Sequence, residues 1–225
     1  MCGRKTLTKG KVEIIQELLV DEWDESFHWE PSYNIAPTQT TPVLVQWKTK
    51  YITSMRWGLV PSWSKDMKLG SKLINARSET LREKPSYRNL LSSKRCAVLS
   101  DGYFEWQQSE NGKQPFYIHH PRNKLLPLAG LWDVWEDDDN KKVYTYTVIT
   151  TTPADSISFI HNRMPVILNE DAMHVWINPE TPKEKAMKYL LPFGGSLGYY
   201  PVSTYVNSPF NNSKACITPI HEERS

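Results

Sequence analysis

Along this chain the hydrophobic positions fall mainly into short β-type runs at hairpin spacing, with helical periodicity confined to a few stretches. Between residues 11 and 20, Val12, Ile15, Leu18 and Leu19 recur at helical spacing and predict an amphipathic helix. Residues 41–47 and 51–57 read as two strands joined by a polar turn at Lys48-Thr49-Lys50. Residues 61–70 form a loop carrying Trp63, and 79–91 read as largely helical, cut into short pieces by Pro85. From Arg95 the pattern turns to β, with strands at 96–99 and 103–107. An Asn111-Gly112 hairpin signal leads into 116–119, and 125–132 and 144–150 follow across an acidic turn at 136–139. Residues 170–177 and 182–191 read as helices, the first with Ala172, Val175 and Trp176 inward, and short strands near 199–203 close the sheet. The β runs do not alternate with long helices. The prediction is therefore an α+β fold, a mainly antiparallel, barrel-like β-sheet with flanking helices. With no repeat, low-complexity segment or linker, residues 1–225 read as a single domain, its core about 2–203 and a C-terminal tail about 204–225.

Composition changes this picture little. A chain of 225 residues with 39% hydrophobic and 23% charged positions is ordinary for a soluble globular protein. Nine Trp and eleven Tyr supply both core volume and rings for stacking on bases. A net charge of only +2 means that any phosphate-binding surface is a local patch. The three cysteines, Cys2, Cys96 and Cys216, are odd in number and form no C-x-x-C pair. Neither a disulfide framework nor a zinc site is suggested, and free thiols fit a reducing compartment. Met-Cys-Gly-Arg-Lys lacks the apolar run of a secretory signal, and no stretch is long enough to span a membrane. A cytoplasmic address is expected.

Four segments carry candidate chemistry. Once Met1 is removed, Cys2 presents an α-amine and a thiol on one residue. Such a 1,2-aminothiol captures an aldehyde as a Schiff base and then closes a five-membered thiazolidine ring. The reference pKa values, about 7.7–8.0 for the amine and about 8.5 for the thiol, make both reactive forms accessible near neutral pH. Gly3 lets backbone approach a ligand, and Arg4 offers a phosphate fork, but a cysteine that merely happens to be second is the more ordinary reading. In Asn75-Ala76-Arg77-Ser78-Glu79-Thr80, Asn75 and Arg77 suit an uncharged contact and a phosphate contact. Alone, the segment reads better as a helix-capping turn with Arg77 paired to Glu79. In Asp101-Gly102-Tyr103-Phe104-Glu105-Trp106, desolvation in a pocket would suit Glu105 to moving protons, while plain strand alternation places it on the solvent face. His161, with Arg163 beside it, reads equally as a proton shuttle and as a structural histidine, and His119-His120 reads as surface.

Together these segments resemble the SRAP family, the SOS-response-associated peptidases that act as abasic-site-processing DNA–protein crosslinkers. The matching pieces are Met1-Cys2-Gly3-Arg4, Tyr33-Asn34-Ile35-Ala36-Pro37-Thr38, Arg56-Trp57-Gly58-Leu59-Val60-Pro61, Asn75 to Thr80, Asp101 to Trp106, and His161-Asn162-Arg163-Met164-Pro165. They stand in family order from residue 2 to about Val202, and only the aromatic order at Tyr103-Phe104 departs from the pattern. The resemblance implies that Cys2 is the nucleophile and that Glu105 positions its amine and moves protons. It also implies that Asn75 and His161 contact the opened sugar and its phosphate, and that Arg4 and Arg77 clamp backbone phosphates. Trp63, Trp57 and the Pro37 turn are candidates for stacking on neighbouring bases or for the core, Arg163 for DNA contact, and Lys84, Arg88, Lys94 and Arg95 equally for a local basic patch or a solvated helix face. The implied partner is single-stranded DNA containing abasic sites, met by a DNA-associated monomer in the cytoplasm. No metal or organic cofactor is needed, since Schiff-base chemistry runs on an amine and placed acids and bases. The label "peptidase" would describe removal of Met1, a hydrolase activity beside the lyase-type Schiff-base chemistry.

Two other functions compete. An N-terminal-nucleophile glutamine amidotransferase also begins Met-Cys-Gly, but it leaves Asn75-Ala76-Arg77 and Asp101 to Trp106 unexplained; release of ammonia from glutamine separates the two. In a non-catalytic single-stranded-DNA binder Cys2 would be incidental, and Cys2→Ala would leave binding intact.

Overall fold

The computed structural model describes residues 2–110 and 112–220. In chain order its strands are β1 (Lys5–Leu7), β2 (Glu22–Trp23), β3 (Ser32–Ile35), β4 (Thr40–Gln46), β5 (Lys50–Trp57), β6 (Asn75–Arg77) and β7 (Arg95–Val98). They continue as β8 (Gly102–Ser109), β9 (Gly112–His119), β10 (Leu128–Glu136), β11 (Lys142–Thr151), β12 (Met164–Pro165) and β13 (Gly198–Pro201). The α-helices are α1 (Lys11–Leu18), α2 (Glu170–Ile177) and α3 (Lys183–Ala186).

Five strands close on themselves. The hydrogen-bonded order β11-β10-β7-β4-β5 is antiparallel throughout, and a parallel contact pairing Thr145 with Arg56 and Tyr146 with Trp57 joins β5 back to β11. Closure removes the edges that a sheet of this length would otherwise expose. Gly130 sits where β10 crosses β7, and a Cβ there would stand 2.8 Å from Val98 Cγ2 and 2.9 Å from Cys96 Sγ. Helix α2 lies over β7, with Trp176 wholly buried and its indole N–H donating to the Cys96 carbonyl at 3.0 Å. The short strand β6 runs parallel to β11, pairing Asn75 with Val148 and Arg77 with Thr150.

The second sheet is five-stranded and antiparallel, in the order β13-β9-β8-β1-β3. One of its faces holds a small apolar cluster of Phe104, Tyr117, Val202, Val206 and Cys216. Residues 204–220 complete that cluster and bridge back through Val202 and Pro219. The chain start enters this sheet beside β8, where the Phe104 N–H donates to the Arg4 carbonyl at 2.9 Å.

The expected α+β, mainly antiparallel, barrel-like arrangement is what the chain adopts, with α2 spanning the expected residues. Residues 79–91 differ: they hold isolated turns between 3-10 helices at Ser78–Thr80 and Leu90–Ser92. Pro85 has no N–H to give to Leu81, and the halves it leaves are too short to propagate an α-helix. The segment 182–191 likewise shortens to α3 followed by a 3-10 turn at Met187–Tyr189. Strands β1, β3 and β6 had no counterpart in the hydrophobic pattern. The hairpin between β8 and β9 forms with Ser109 opposite Gly112, while Asn111 itself lies outside the described residues.

Candidate active site

Cys2, three residues before β1 begins, is wholly buried. Its carbonyl accepts a hydrogen bond from Asn75 Nδ2 at 2.8 Å. Asn75 is held for this by the parallel register of β6 on β11 and by the Tyr87 hydroxyl, which donates to its carbonyl at 3.3 Å. The Asn75 Oδ1 atom is also buried and meets no donor among the described residues. Two residues that the sequence places far apart are thus locked main chain to side chain at the seam between barrel and second sheet.

Glu105 comes to the same place from β8. Alternation suggested a solvent-facing carboxylate, but β8 is covered on both faces. Phe104 points to the small cluster that includes Val206 and Cys216, while Tyr103 and Glu105 point toward Cys2. Only 3% of Glu105 is exposed, and burial pushes its carboxyl up to about 7. Burial, then the Glu105 charge, pushes the Cys2 thiol up to about 12, so the resting sulfur is S–H at neutral pH. The buried Tyr103 hydroxyl, raised by the same desolvation, shares this field with both.

His161 and Glu105 line one cleft, together with Trp106, Lys113 and Asn207. The His161 ring is held by its own loop: Nδ1 accepts from the Arg163 N–H at 3.0 Å. A neutral ring therefore carries its proton on Nε2. Burial pulls the imidazole below its usual range, against the hydrogen bond with the Arg163 main chain, and favours the neutral ring. Arg163 in turn grips Glu79 with both terminal nitrogens, at 2.7 and 3.0 Å, and donates to the Thr150 carbonyl. Glu79 thus pairs with Arg163, leaving Arg77 exposed and without an ion pair among the described residues. A second hollow, lined by Asn75, Arg77, Lys84 and Tyr87, opens on the other side of Asn75.

The structure therefore brings Cys2, Asn75, Glu105 and His161 to one seam. Other expected contacts fall differently. Arg4 turns its guanidinium toward protein, donating to Asn34 Oδ1 at 2.8 Å, to the Val206 carbonyl at 2.7 Å and to the Asn207 carbonyl at 3.3 Å. Trp63 is 61% exposed on its loop, and Pro37 is half-buried in a turn whose next residue, Thr38, has a φ of 76°. Trp57 takes the core reading: it is wholly buried, its indole N–H donates to the Ile74 carbonyl at 2.9 Å, and it stacks on Tyr146. The basic patch is a correction. Arg95 is buried and donates to the carbonyls of Leu91, Ser92, Trp176, Asn178 and Thr181, and Lys94 pairs with Asp133 at 2.5 Å. Only Lys84 and Arg88 of that set are exposed. Residue reading missed Tyr103, which looked like core, and Lys5, a fully buried lysine whose ammonium reaches the Leu99 carbonyl at 2.9 Å. Met1 lies outside the described residues. Among the described residues no group of three or more His, Cys, Asp or Glu side chains could hold a metal ion, and no helix is long and apolar enough to cross a membrane.

Comparison with known proteins supports one family over this whole arrangement. The chain is 39% identical to "Abasic site processing protein YoqW" of Bacillus subtilis, covering 96% of this chain and 99% of that one. It is 37% identical to "Abasic site processing protein HMCES" of Gallus gallus, covering 98% of this chain and 78% of the relative. A crystallised protein from Bacteroides thetaiotaomicron superposes with a TM-score of 0.87 at 25% identity, over 98% of this chain and all of the other. The family model described as SOS response associated peptidase (SRAP) matches residues 1–209, and the chain belongs to that family.

Proposed function

We propose that this chain processes abasic sites in single-stranded DNA by bonding Cys2, freed by removal of Met1, to the ring-opened sugar. The observation that carries the proposal is the placement of Cys2, its carbonyl fixed by Asn75 and its sulfur in the field of a buried carboxyl with a pKa of about 7. The names of the relatives, which describe abasic-site processing, support the same substrate.

The chemistry follows from these groups. The Cys2 α-amine adds to the C1′ aldehyde, forming a C–N bond, and Glu105 and His161 pass protons so that the carbinolamine loses water as an iminium. The thiol then adds to the same carbon, the C=N pair returns to nitrogen to give the neutral ring N–H, and the thiol proton restores the Glu105 carboxyl that protonated the departing water. The result is a thiazolidine, formed with net loss of one water. A thiol held near 12 reacts second, because at neutral pH the amine is the better available nucleophile. Neutral His161 offers its Nε2–H to a sugar or phosphate oxygen, and exposed Arg77 beside Asn75 offers the adjacent phosphate a fork. Autocatalytic removal of Met1 would draw on the same Cys2, Glu105 and His161, which fits the family's peptidase label. The reaction needs soluble protein and DNA only.

Intact mass spectrometry after incubation with a single-stranded oligonucleotide bearing one abasic site tests this. The expected product is a one-to-one adduct, one water lighter than its parts and lacking Met1. It should be absent with Cys2→Ala and with an undamaged strand. A processed chain with free Cys2 that forms no adduct would sink the covalent mechanism, and ammonia release from glutamine would then point to amide hydrolysis.

A further inference from the structure

Beside the cleft, an aromatic row runs out to the surface. In the β8–β9 ladder Phe116 lies directly opposite Glu105, so the two side chains share one face of the sheet. Phe159 stands edge-on to Phe116 with ring centroids 6.0 Å apart, and Tyr199 stands edge-on to Phe159 at 5.3 Å. The outer two rings are open to solvent: Phe159 is 49% exposed and Tyr199 41%. The row is tied to the cleft at both ends of its first step. Phe159 is two residues before His161, and its carbonyl accepts from Gln107 Nε2 at 3.2 Å, which pins the segment to β8. Lys113, on the same cleft, supplies a cation for a phosphate beside the rings.

Two large exposed rings touching one another, continuous with a catalytic cleft, are not explained by core packing. The ligand of the cleft, on the reading given above, is a nucleotide that has lost its base. The lesion itself has nothing to stack, so ring contacts must come from its neighbours, and each base–aromatic stack supplies substantial sequence-tolerant affinity. We infer that Phe159 and Tyr199 form a stacking platform for bases on one side of the lesion, at the exposed margin of the Glu105-bearing face of the second sheet. This inference rests on the proposed single-stranded DNA substrate, and it adds a polarity: the bases on one flank bind rings, and those on the other do not.

The test uses fluorescence anisotropy with oligonucleotides carrying a tetrahydrofuran at the lesion position, which binds without reacting, and adduct formation on a true abasic strand run in parallel. In one strand the bases 5′ of the lesion are replaced by further tetrahydrofurans, and in another the bases 3′ of it. Wild type should lose roughly tenfold in affinity on one of the two stripped strands. Phe159→Ala/Tyr199→Ala should bind the intact strand about tenfold more weakly and lose nothing further when that flank is stripped, while Phe159→Tyr retains wild-type behaviour. Equal losses for the double variant on intact and stripped strands, or none on any strand, would overturn the platform. In the second case the exposed rings would belong to a protein partner. Adduct formation reports separately on the reading beneath it: wild-type protein that binds with this polarity yet forms no adduct removes the covalent chemistry and keeps the platform.

Discussion

Two buried titratable residues set the behaviour of the site, and they act in opposite directions. Glu105 is held near 7, so its carboxylate fraction grows through neutral pH. The rate of adduct formation should therefore show an inflection near pH 7. Glu105→Gln should slow the reaction about a hundredfold or more and abolish that inflection, read from single-turnover rates between pH 6 and 9. An unchanged profile would remove Glu105 from proton transfer. Lys5, whose charge reaches the Cys2 thiol and favours its thiolate, is at the same time a stability liability. Burial pulls its ammonium down to about 7, while in the unfolded chain it titrates near 10.5. Between those values the unfolded state binds more protons, so its contribution makes stability rise with pH from about 7 to 10. Below pH 7 the folded chain carries a buried ammonium that donates to the Leu99 carbonyl. Lys5→Met, similar in volume, should stabilise the protein by about 1–3 kcal/mol at pH 6 and by less at pH 10, measured by urea denaturation.

At the scale of elements, strand β5 ends at a contact between two glycines. Gly58 has a φ of +119°, and a Cβ on it would stand 2.6 Å from the Gly70 carbonyl oxygen; a Cβ on Gly70 would meet the Gly58 oxygen at 2.7 Å. The loop with Trp63 leaves and returns through this crossing. It is fastened along its length by the Asp133 carboxylate on the Ser62 N–H and by the Trp135 indole on the Ser64 carbonyl. Gly58→Ala should cost about 2–4 kcal/mol, from the left-handed φ and the clash together, visible as a lower urea midpoint. Elements of this kind divide sharply in how legible they were. The bounds of helix α2 could be read to the residue, and Asn169 caps it through the Ala172 N–H; of the positions expected inward, Ala172 and Trp176 are buried while Val175 is only half-buried. The β8–β9 and β10–β11 hairpins could be read because their partners are adjacent in sequence. Strands β1, β3 and β6 could not, since three or four residues carry too little periodicity and their partners lie far along the chain. Those short strands place Cys2 and Asn75. The site was therefore legible as a set of family motifs, while its geometry was not. Glu105 shows why: alternation assumes a sheet with one wet face, and β8 is buried on both.

Across the whole molecule, the site belongs to neither sheet alone. The barrel contributes Asn75 through β6, the second sheet contributes Glu105, and the chain start is threaded between them. Arg4 clips that start to residues 206 and 207, so the two distant ends of the fold brace the same cleft. With a net charge of +2, and with Lys94 and Arg95 of the expected basic patch committed to Asp133 and to carbonyls, the cations lining the two hollows are Arg77, Lys84 and Lys113. Binding of single-stranded DNA should accordingly depend weakly on salt, with a slope of log K against log salt of about −2, and Arg77→Ala should remove about 0.7 of it. A slope several times steeper would mean that a larger cationic surface is engaged. The anchor on Cys2 carries one more implication. Asn75 grips the main-chain oxygen of residue 2, an atom that every amino acid owns. The anchor therefore does not depend on the sulfur, and Cys2→Ser or Cys2→Ala, each small enough for this buried position, should leave the main chain of residue 2 at the same address.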